Sequence, residues 1–486
     1  MLFSSLEFIL MFLPVTVLIY YMLLFFKLNV ISRVWLVVAS LFFYSWWNIS
    51  YLPLLLLSMF INYFTGSAIS KADSIGKKKT LLSAGIVFNV GLLGYFKYTD
   101  FFIENMNAVF DTNTALLNLL LPLAISFFTF EQIAYIVDAY RGSTKEKDFL
   151  NYALFVTFFP RLIAGPIILH QELIPQFHDA KNKRINAQNV AAGIFIFMIG
   201  LCKKVAIADT LAVYANDGFA NYANLTVLEA WVTSLSYTYQ LYFDFSGYCD
   251  MAIGIGLLFN IKLPVNFFSP YKARNIQEFW KRWHMTLGRF LTSYLYIPLG
   301  GSKEGSYKLY RNILIVFAVS GIWHGAGWTF VIWGLMHGLA SVLCRAWPFK
   351  LPAVISWFLT FQFVNVAWVY FRADTVHQAN TIIKTMFSAG QFQLEQLTAP
   401  VLSFSTALSF SFSYERFAFH FAETNLILSG LLAATILVFF FKNSIQIKDS
   451  FQPSLKYSVW VSSMLFLVLS AVFLLNKNSE FLYFNF

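Results

Sequence analysis

The chain has 486 residues, of which 58% are hydrophobic, 19% aromatic and only 12% charged; soluble domains carry roughly 25% charged residues. This composition excludes a soluble multi-domain enzyme, a disordered protein and a secreted disulfide scaffold, and leaves a polytopic membrane protein. The net charge of +10 reads as lysine and arginine retained in cytoplasmic loops, not as a nucleic-acid surface.

In chain order, apolar runs approaching the roughly 20 residues of a span fall at Leu6–Phe26, Val34–Trp47, Leu52–Ser70, Leu81–Tyr98, Leu116–Val137, Val190–Tyr214, Leu228–Tyr248, Ala353–Phe371, Leu426–Phe441 and Ser458–Leu475. The first run lacks a basic n-region and a small-residue cleavage site, so it is expected to be a retained helix. Lys27 and Arg33 follow the first span, and Lys71, Lys77, Lys78 and Lys79 follow the third. Both loops are therefore placed in the cytoplasm, with the N-terminus outside. The loop after the fourth span carries Asp100, Glu104 and Asp111 and no base beyond Lys97, as expected of the outer face.

Two segments interrupt this pattern. Asn151–Leu169 holds Pro160, Arg161, Gly165 and Pro166 and is flanked by bases on both sides: Arg141, Lys145 and Lys147 before, Lys181, Lys183 and Arg184 after. A segment starting and ending on one side is re-entrant, and such broken backbone must be covered by protein or line a cavity. Asn312–Cys344, bracketed by Arg311 and Arg345, has Gly321, Gly325 and Gly327 at its centre. It is too long for one span and too short for two, so it reads as helix, break and helix, with the break inside the membrane. Counting on, Lys442, Lys448 and Lys456 fall inside and the C-terminus outside. The fold expected is an all-α polytopic domain of about 10–12 transmembrane helices with no internal repeat.

Of seven histidines, His170, His178, His377 and His420 sit in or beside polar loops and are read as surface residues. His337 is open between a packed core histidine and a functional one. His324, in Gly321-Ile-Trp-His-Gly-Ala-Gly-Trp328, lies thirteen residues beyond Arg311, about 20 Å along a helix. An ionisable group at membrane depth defaults to a functional reading, and neutral imidazole can take a proton from a hydroxyl; the bland reading is a histidine bonded across helices. His284 lies in the most basic stretch, Lys262–Arg311, whose only acids are Glu278 and Glu304. Lys281, Arg282 and Arg289 there suit either an anionic donor's phosphates or lipid head groups. Asp244 and Asp250 flank the inner end of one span, and Lys203 and Lys204 interrupt another. These four are expected to pair, to line a cavity or to relay protons. The scattered Cys202, Cys249 and Cys344 give neither disulfide nor metal site; no metal is expected. The C-terminal Glu480-Phe-Leu-Tyr-Phe-Asn-Phe486 reads as an interfacial anchor, or as a tail that carries the Tyr483 hydroxyl into a membrane cavity.

Tyr242-Phe-Asp-Phe-Ser-Gly-Tyr-Cys-Asp-Met-Ala-Ile-Gly254, Pro264-Val-Asn-Phe-Phe-Ser-Pro-Tyr271, Phe279-Trp-Lys-Arg-Trp-His-Met-Thr-Leu287 and Ile322-Trp-His-Gly-Ala-Gly-Trp328 resemble the membrane-bound O-acyltransferase family, in its alginate and peptidoglycan acetylase branch. Phe159-Pro-Arg-Leu-Ile-Ala-Gly-Pro166 is similar to another stretch of that group. The resemblance implies a single domain, 1–486, made of tilted helices ringing a thinned centre and a tunnel. Its parts are N-terminal helices (1–140), a catalytic core (141–350), C-terminal helices (351–475) and the outer tail (476–486). It implies His324 as catalytic, His284 as its companion and Tyr483 as a transient acyl acceptor. Arg282, Lys281, Asn266, Asp244, Trp323, Trp328, Lys203 and Lys204 become candidates for lining the donor path. It also implies acetyl-CoA as donor with no bound cofactor, a bacterial inner-membrane location, a periplasmic esterase-like partner and a polysaccharide acceptor. A D-alanyl transferase acting on teichoic acid and a non-enzymatic transporter are the alternatives.

Overall fold

The computed structural model describes residues 1–144, 146, 148–303, 305–347, 349, 351–388, 421–475 and 482. The described residues form an all-α bundle. Its helices are α1 (Phe8–Phe25), α2 (Asn29–Ser45), α3 (Ile49–Lys71) and α4 (Ile75–Phe110), then α5 (Ile125–Arg141), α6 (Phe149–Thr157), α7 (Phe159–Leu162) and α8 (His170–His178). Next come α9 (Ala187–Ala220), α10 (Val227–Leu258), α11 (Ile276–Trp280), α12 (Met285–Leu291), α13 (Ser306–His324) and α14 (Trp328–Ala346). The chain continues through α15 (Ala353–Arg372), α16 (Val376–Met386), α17 (Phe421–Phe440), α18 (Ser444–Asp449) and α19 (Leu455–Leu475). Six of these stretches are long and apolar enough to cross a membrane, and three shorter apolar helices, including α2, accompany them.

Helix α10 is the axis of the bundle. It starts at a reciprocal cap: the Thr226 main-chain N–H donates to Glu229 at 2.8 Å, and the Glu229 N–H donates back to the Thr226 hydroxyl at 3.4 Å. It then stays buried almost throughout, the mark of a core helix. Its packing on α9 depends on small residues: a Cβ at Gly200 would stand 2.5 Å from the carbonyl oxygen of Gly247, and one at Gly247 would stand 2.7 Å from that of Gly200. Such contacts let two backbones meet where lipid offers no competing hydrophobic drive.

Four sequence expectations change. The loop expected after Tyr98 is helical to Phe110, so Asp100 and Glu104 lie on α4. The run Leu116–Val137 is not one helix: residues 112–122 carry no regular secondary structure, and α5 begins only at Ile125. Asn118 and Ala124 take left-handed φ values of 47° and 61°, and Pro122 lies between them, so hydropathy alone overstated the helix. Helix α10 runs ten residues beyond the expected Tyr248, because Asp250 finds buried partners there. The segment 312–344 belongs to two helices of 19 residues each, about 28 Å apiece. The first begins at Ser306, after Gly305 at φ 89°, six residues earlier than expected. The break, Gly325–Gly327, is the tip of a hairpin, and His324 ends a helix where mid-span was expected.

Residues 149–169 do break as expected. Helices α6 and α7 turn at Phe158, and Ile163–Leu169 is non-helical. The segment is buried from Asn151 to Ile168, with Arg161 paired to Glu131 and its guanidinium 4.7 Å over the Phe155 ring. Lys145 and Lys147 lie outside the described residues.

Candidate active site

His324 is the last residue of α13 and is buried. Its ring is enclosed by Trp323, Trp333 and Phe371 at 4.8, 5.1 and 5.1 Å between centroids. A helix C-terminus leaves carbonyls without intrahelical donors and carries partial negative charge. Here a π-helical turn of α4, Gly94–Tyr98, supplies donors. The Lys97 ammonium donates to the carbonyl oxygens of Trp323 at 2.6 Å and His324 at 3.1 Å, and the Tyr98 hydroxyl to that of Ile322 at 2.5 Å. Lys97 also reaches Ser126 Oγ at 3.2 Å. Sequence reasoning passed over Lys97 as a loop marker, although a lone cation closing an apolar run was the available signal.

His284 is buried and caps α12 from a left-handed conformation, φ 45° and ψ 50°, a costly state for a residue with a β-carbon. Asn266 holds that turn. Its main-chain oxygen accepts from the Met285 N–H at 2.9 Å. Its side-chain oxygen accepts from the Thr286 N–H at 3.2 Å and hydroxyl at 2.9 Å, and it meets His284 Nδ1 at 3.1 Å. A main-chain N–H can only donate, so this Asn266 atom is the oxygen, and Nδ1 of His284 must bear the proton. Nε2 then carries the imidazole lone pair. The Thr286 hydroxyl accepts in turn from the Ile167 N–H at 3.1 Å, which ties the broken segment to the histidine. Trp323 lies against both histidines, 6.4 Å from His284 and 4.8 Å from His324.

The structure brings the two histidines, Asn266 and Trp323 together. Trp328 is set apart: it is largely exposed, with its indole N–H on Asn105 at 2.8 Å. Lys281 is exposed, Arg282 pairs with Glu278 at 2.6 Å, and Arg289 is gripped at both guanidinium ends by Glu172, at 2.7 and 2.9 Å. Lys203 pairs with Asp250 at 2.7 Å, and Lys204 with Asp209 at 2.7 Å and Asp244 at 3.0 Å, so pairing, one of the three uses left open by the sequence, is present. His337 is a core histidine whose Nδ1 accepts from the Trp280 indole N–H at 3.2 Å. His170 is buried, contrary to the surface reading: its Nδ1 meets the Thr144 hydroxyl at 3.1 Å, and its Nε2 lies 3.1 Å from the Glu146 carboxylate. His178 and His377 are exposed as expected, and His420 lies outside the described residues.

Beyond the hairpin tip opens a cavity of about 720 Å³. Gly325–Gly327, Lys97, Gln240, Arg372, Phe371 and Leu482 contribute to its wall. Phe371 therefore serves two surfaces: it packs edge-on with the His324 ring and also lines the cavity. Leu482 is the described residue of the C-terminal tail, and its main-chain N–H donates to Asp244 Oδ2 at 2.9 Å. Tyr483, the next residue, lies outside the described residues. No group of three or more His, Cys, Asp or Glu suited to a metal occurs among the described residues.

Residues 144–349 match the membrane-bound O-acyltransferase family, a stretch that contains both histidines. A peptidoglycan O-acetyltransferase of Helicobacter pylori is 45% identical, over 100% of this chain and 98% of its own length. A probable alginate O-acetylase of Pseudomonas putida is 39% identical, over 86% of this chain and 87% of its length. A teichoic acid D-alanyltransferase of Bacillus subtilis is 29% identical, over 54% of this chain and 71% of its length.

Proposed function

Because the chain belongs to the membrane-bound O-acyltransferase family, we propose that it takes acetyl from acetyl-CoA at the cytoplasmic face and passes it outward for O-acetylation of a cell-envelope or extracellular polysaccharide. One observation carries the reading: Leu482, the described residue of the tail, lines the cavity beside the hairpin tip that follows His324 and donates its main-chain N–H to Asp244. Asp100 also lines that cavity, and the acids Asp100, Glu104 and Asp111 put that end of the bundle on the outer side. An acceptor on the tail would there meet a donor arriving from within.

In this reading His324 takes the proton of the acceptor hydroxyl, that of Tyr483, as its oxygen attacks the thioester carbonyl. The C–O bond forms, the C–S bond breaks, and the imidazolium returns the proton to the CoA thiolate. His284, with Nε2 unprotonated, positions the donor. Asn266 and Trp323 hold the two histidines, while Lys203 and Lys204 are spent in ion pairs that anchor the wall. The exposed Lys281 and the neighbouring Arg282 face the approach of the CoA phosphates. A periplasmic esterase-like partner then moves the acetyl group to the polysaccharide.

The same reading takes 151–169 as a re-entrant segment beside a tunnel, at the centre of a bacterial inner-membrane protein with both termini outside. The burial of that broken backbone supports it. The acetyl donor is preferred to D-alanyl because the acetylase relatives match over far more of the chain than the D-alanyltransferase does. The transporter alternative gives way to membership of a transferase family. The test is polysaccharide acetylation in cells carrying His324→Ala or Tyr483→Phe. Loss in both is expected; wild-type acetylation in both, at normal protein levels, overturns the route.

A further inference from the structure

One residue of the broken segment has both of its main-chain polar groups held by α12. Pro166 has no N–H to give, so the buried backbone beyond it must find its partners from Ile167 onward. The Ile167 N–H donates to the Thr286 hydroxyl at 3.1 Å, and the Ile167 carbonyl oxygen accepts from Arg289 Nη2 at 3.2 Å. Thr286 and Arg289 stand three positions apart on α12 and so share one face. Arg289 is fixed in turn. Glu172 of α8 accepts from its Nη1 at 2.7 Å and its Nη2 at 2.9 Å, a two-pronged geometry that sets the plane of a guanidinium as well as its position. The same carboxylate accepts from the Leu169 N–H at 3.2 Å.

From Thr286 the path runs inward. Its hydroxyl accepts from Ile167 and so keeps its own proton for Asn266 Oδ1, at 2.9 Å, and that oxygen meets His284 Nδ1 at 3.1 Å. The Glu172 and Arg289 side chains are each 39% exposed, whereas Ile167, Thr286, Asn266 and His284 are buried. Hydrogen bonds thus join a half-exposed ion pair to a buried histidine without a gap. A pair this exposed adds little to stability on its own; what it fixes is the Nη2 donor on Ile167.

We propose that Arg289, braced by Glu172, is a positioning residue that acts on His284 through the Ile167 backbone and Thr286, and so sets the tautomer and placement of that imidazole for transfer. The inference rests on the acetyl-transfer reading and adds to it a residue that touches neither donor nor acceptor. Without Arg289 the Ile167 backbone loses one of its two anchors, the Thr286 hydroxyl is free to turn, and Asn266 loses a donor. Reacting geometry is sensitive to displacements of about 1 Å.

The test uses full-length purified protein in a membrane mimetic. Arg289→Met keeps much of the side chain's length and removes its donors. It is expected to lower kcat for acetyl transfer at least about tenfold with the KM for acetyl-CoA unchanged, and to show His284 as mixed tautomers in nitrogen-15 spectra. Exchanging the pair, Glu172→Arg with Arg289→Glu, restores opposite charges but takes the donor off α12. The thermal midpoint is expected to recover while transfer stays low. Three results overturn the proposal: wild-type kcat in Arg289→Met; a raised KM with unchanged kcat, the mark of direct contact with the donor's phosphates; or full transfer by the exchanged pair, the mark of an ion pair that only stabilises. Should Arg289→Met fail to fold, Glu172→Gln decides, with kcat expected to fall at least about threefold and a wild-type kcat overturning the role. If His324→Ala is inactive while Arg289→Met is fully active, the positioning role falls and the acetyl-transfer reading stands. If His324→Ala is fully active, that reading falls, and the spectra alone decide: a single His284 tautomer in Arg289→Met, as in the wild type, overturns the role.

Discussion

The Lys97 ammonium donates a 3.1 Å hydrogen bond to the main-chain oxygen of His324. It reaches across from another helix to the C-terminus on which the proposed base stands. Together with its bond to the Trp323 carbonyl, it fixes where the imidazole begins. Lys97→Met keeps the length of the side chain but leaves these carbonyls without their charged donor. Acetyl transfer should fall by about tenfold or more, with little change in the KM for acetyl-CoA. Lys97→Arg should recover part of the loss. Steady-state kinetics on the two variants checks this, and a Met variant with wild-type kcat contradicts it.

Asn266 should matter through the tautomer of His284. Asn266→Leu removes the acceptor that keeps the proton on Nδ1, and also the acceptor of the Thr286 donors. A loss of transfer of about 10²-fold is expected, while Asn266→Asp, which retains an oxygen there, should lose less. Nitrogen-15 spectra of the labelled histidines should show a mixture of His284 tautomers in the leucine variant.

Phe371 both packs against the His324 ring and lines the cavity. Phe371→Ala should admit water, since excluding it is part of how such sites avoid side reactions. Release of CoA from acetyl-CoA should then rise relative to acetyl transferred. An unchanged ratio of hydrolysis to transfer contradicts this role.

The hairpin that carries His324 depends on Gly321 and Gly334. A Cβ at Gly334 would stand 2.5 Å from the carbonyl oxygen of Phe317, and one at Gly321 would stand 2.4 Å from that of Phe330. Gly334→Ala should destabilise the protein by about 1–3 kcal/mol, the usual scale of overpacking. A lowered thermal midpoint in detergent checks it.

Membrane class, the break at Gly325–Gly327 and the pairing of Lys203 and Lys204 with Asp250 and Asp244 were legible, because burying charge in an apolar chain forces partners into view. The start of α5 was not: Leu116–Leu121 is as apolar as a helix, and only the left-handed Asn118 and Ala124 separate the two. The roles of Lys97 and Asn266 depend on contacts between residues 227 and 18 positions apart, and no local pattern encodes such pairings. His170 was misread for the same reason, since its partners lie on another loop.

The central claim is that His324 acts as the base for transfer from acetyl-CoA, and single-turnover acetyl transfer by purified protein in a membrane mimetic tests it most directly. Wild-type protein should release CoA and acquire acetyl label together. His324→Ala, folded and with unchanged acetyl-CoA binding, should do so at least about 10²-fold more slowly. Transfer at the wild-type rate by that variant would contradict the account.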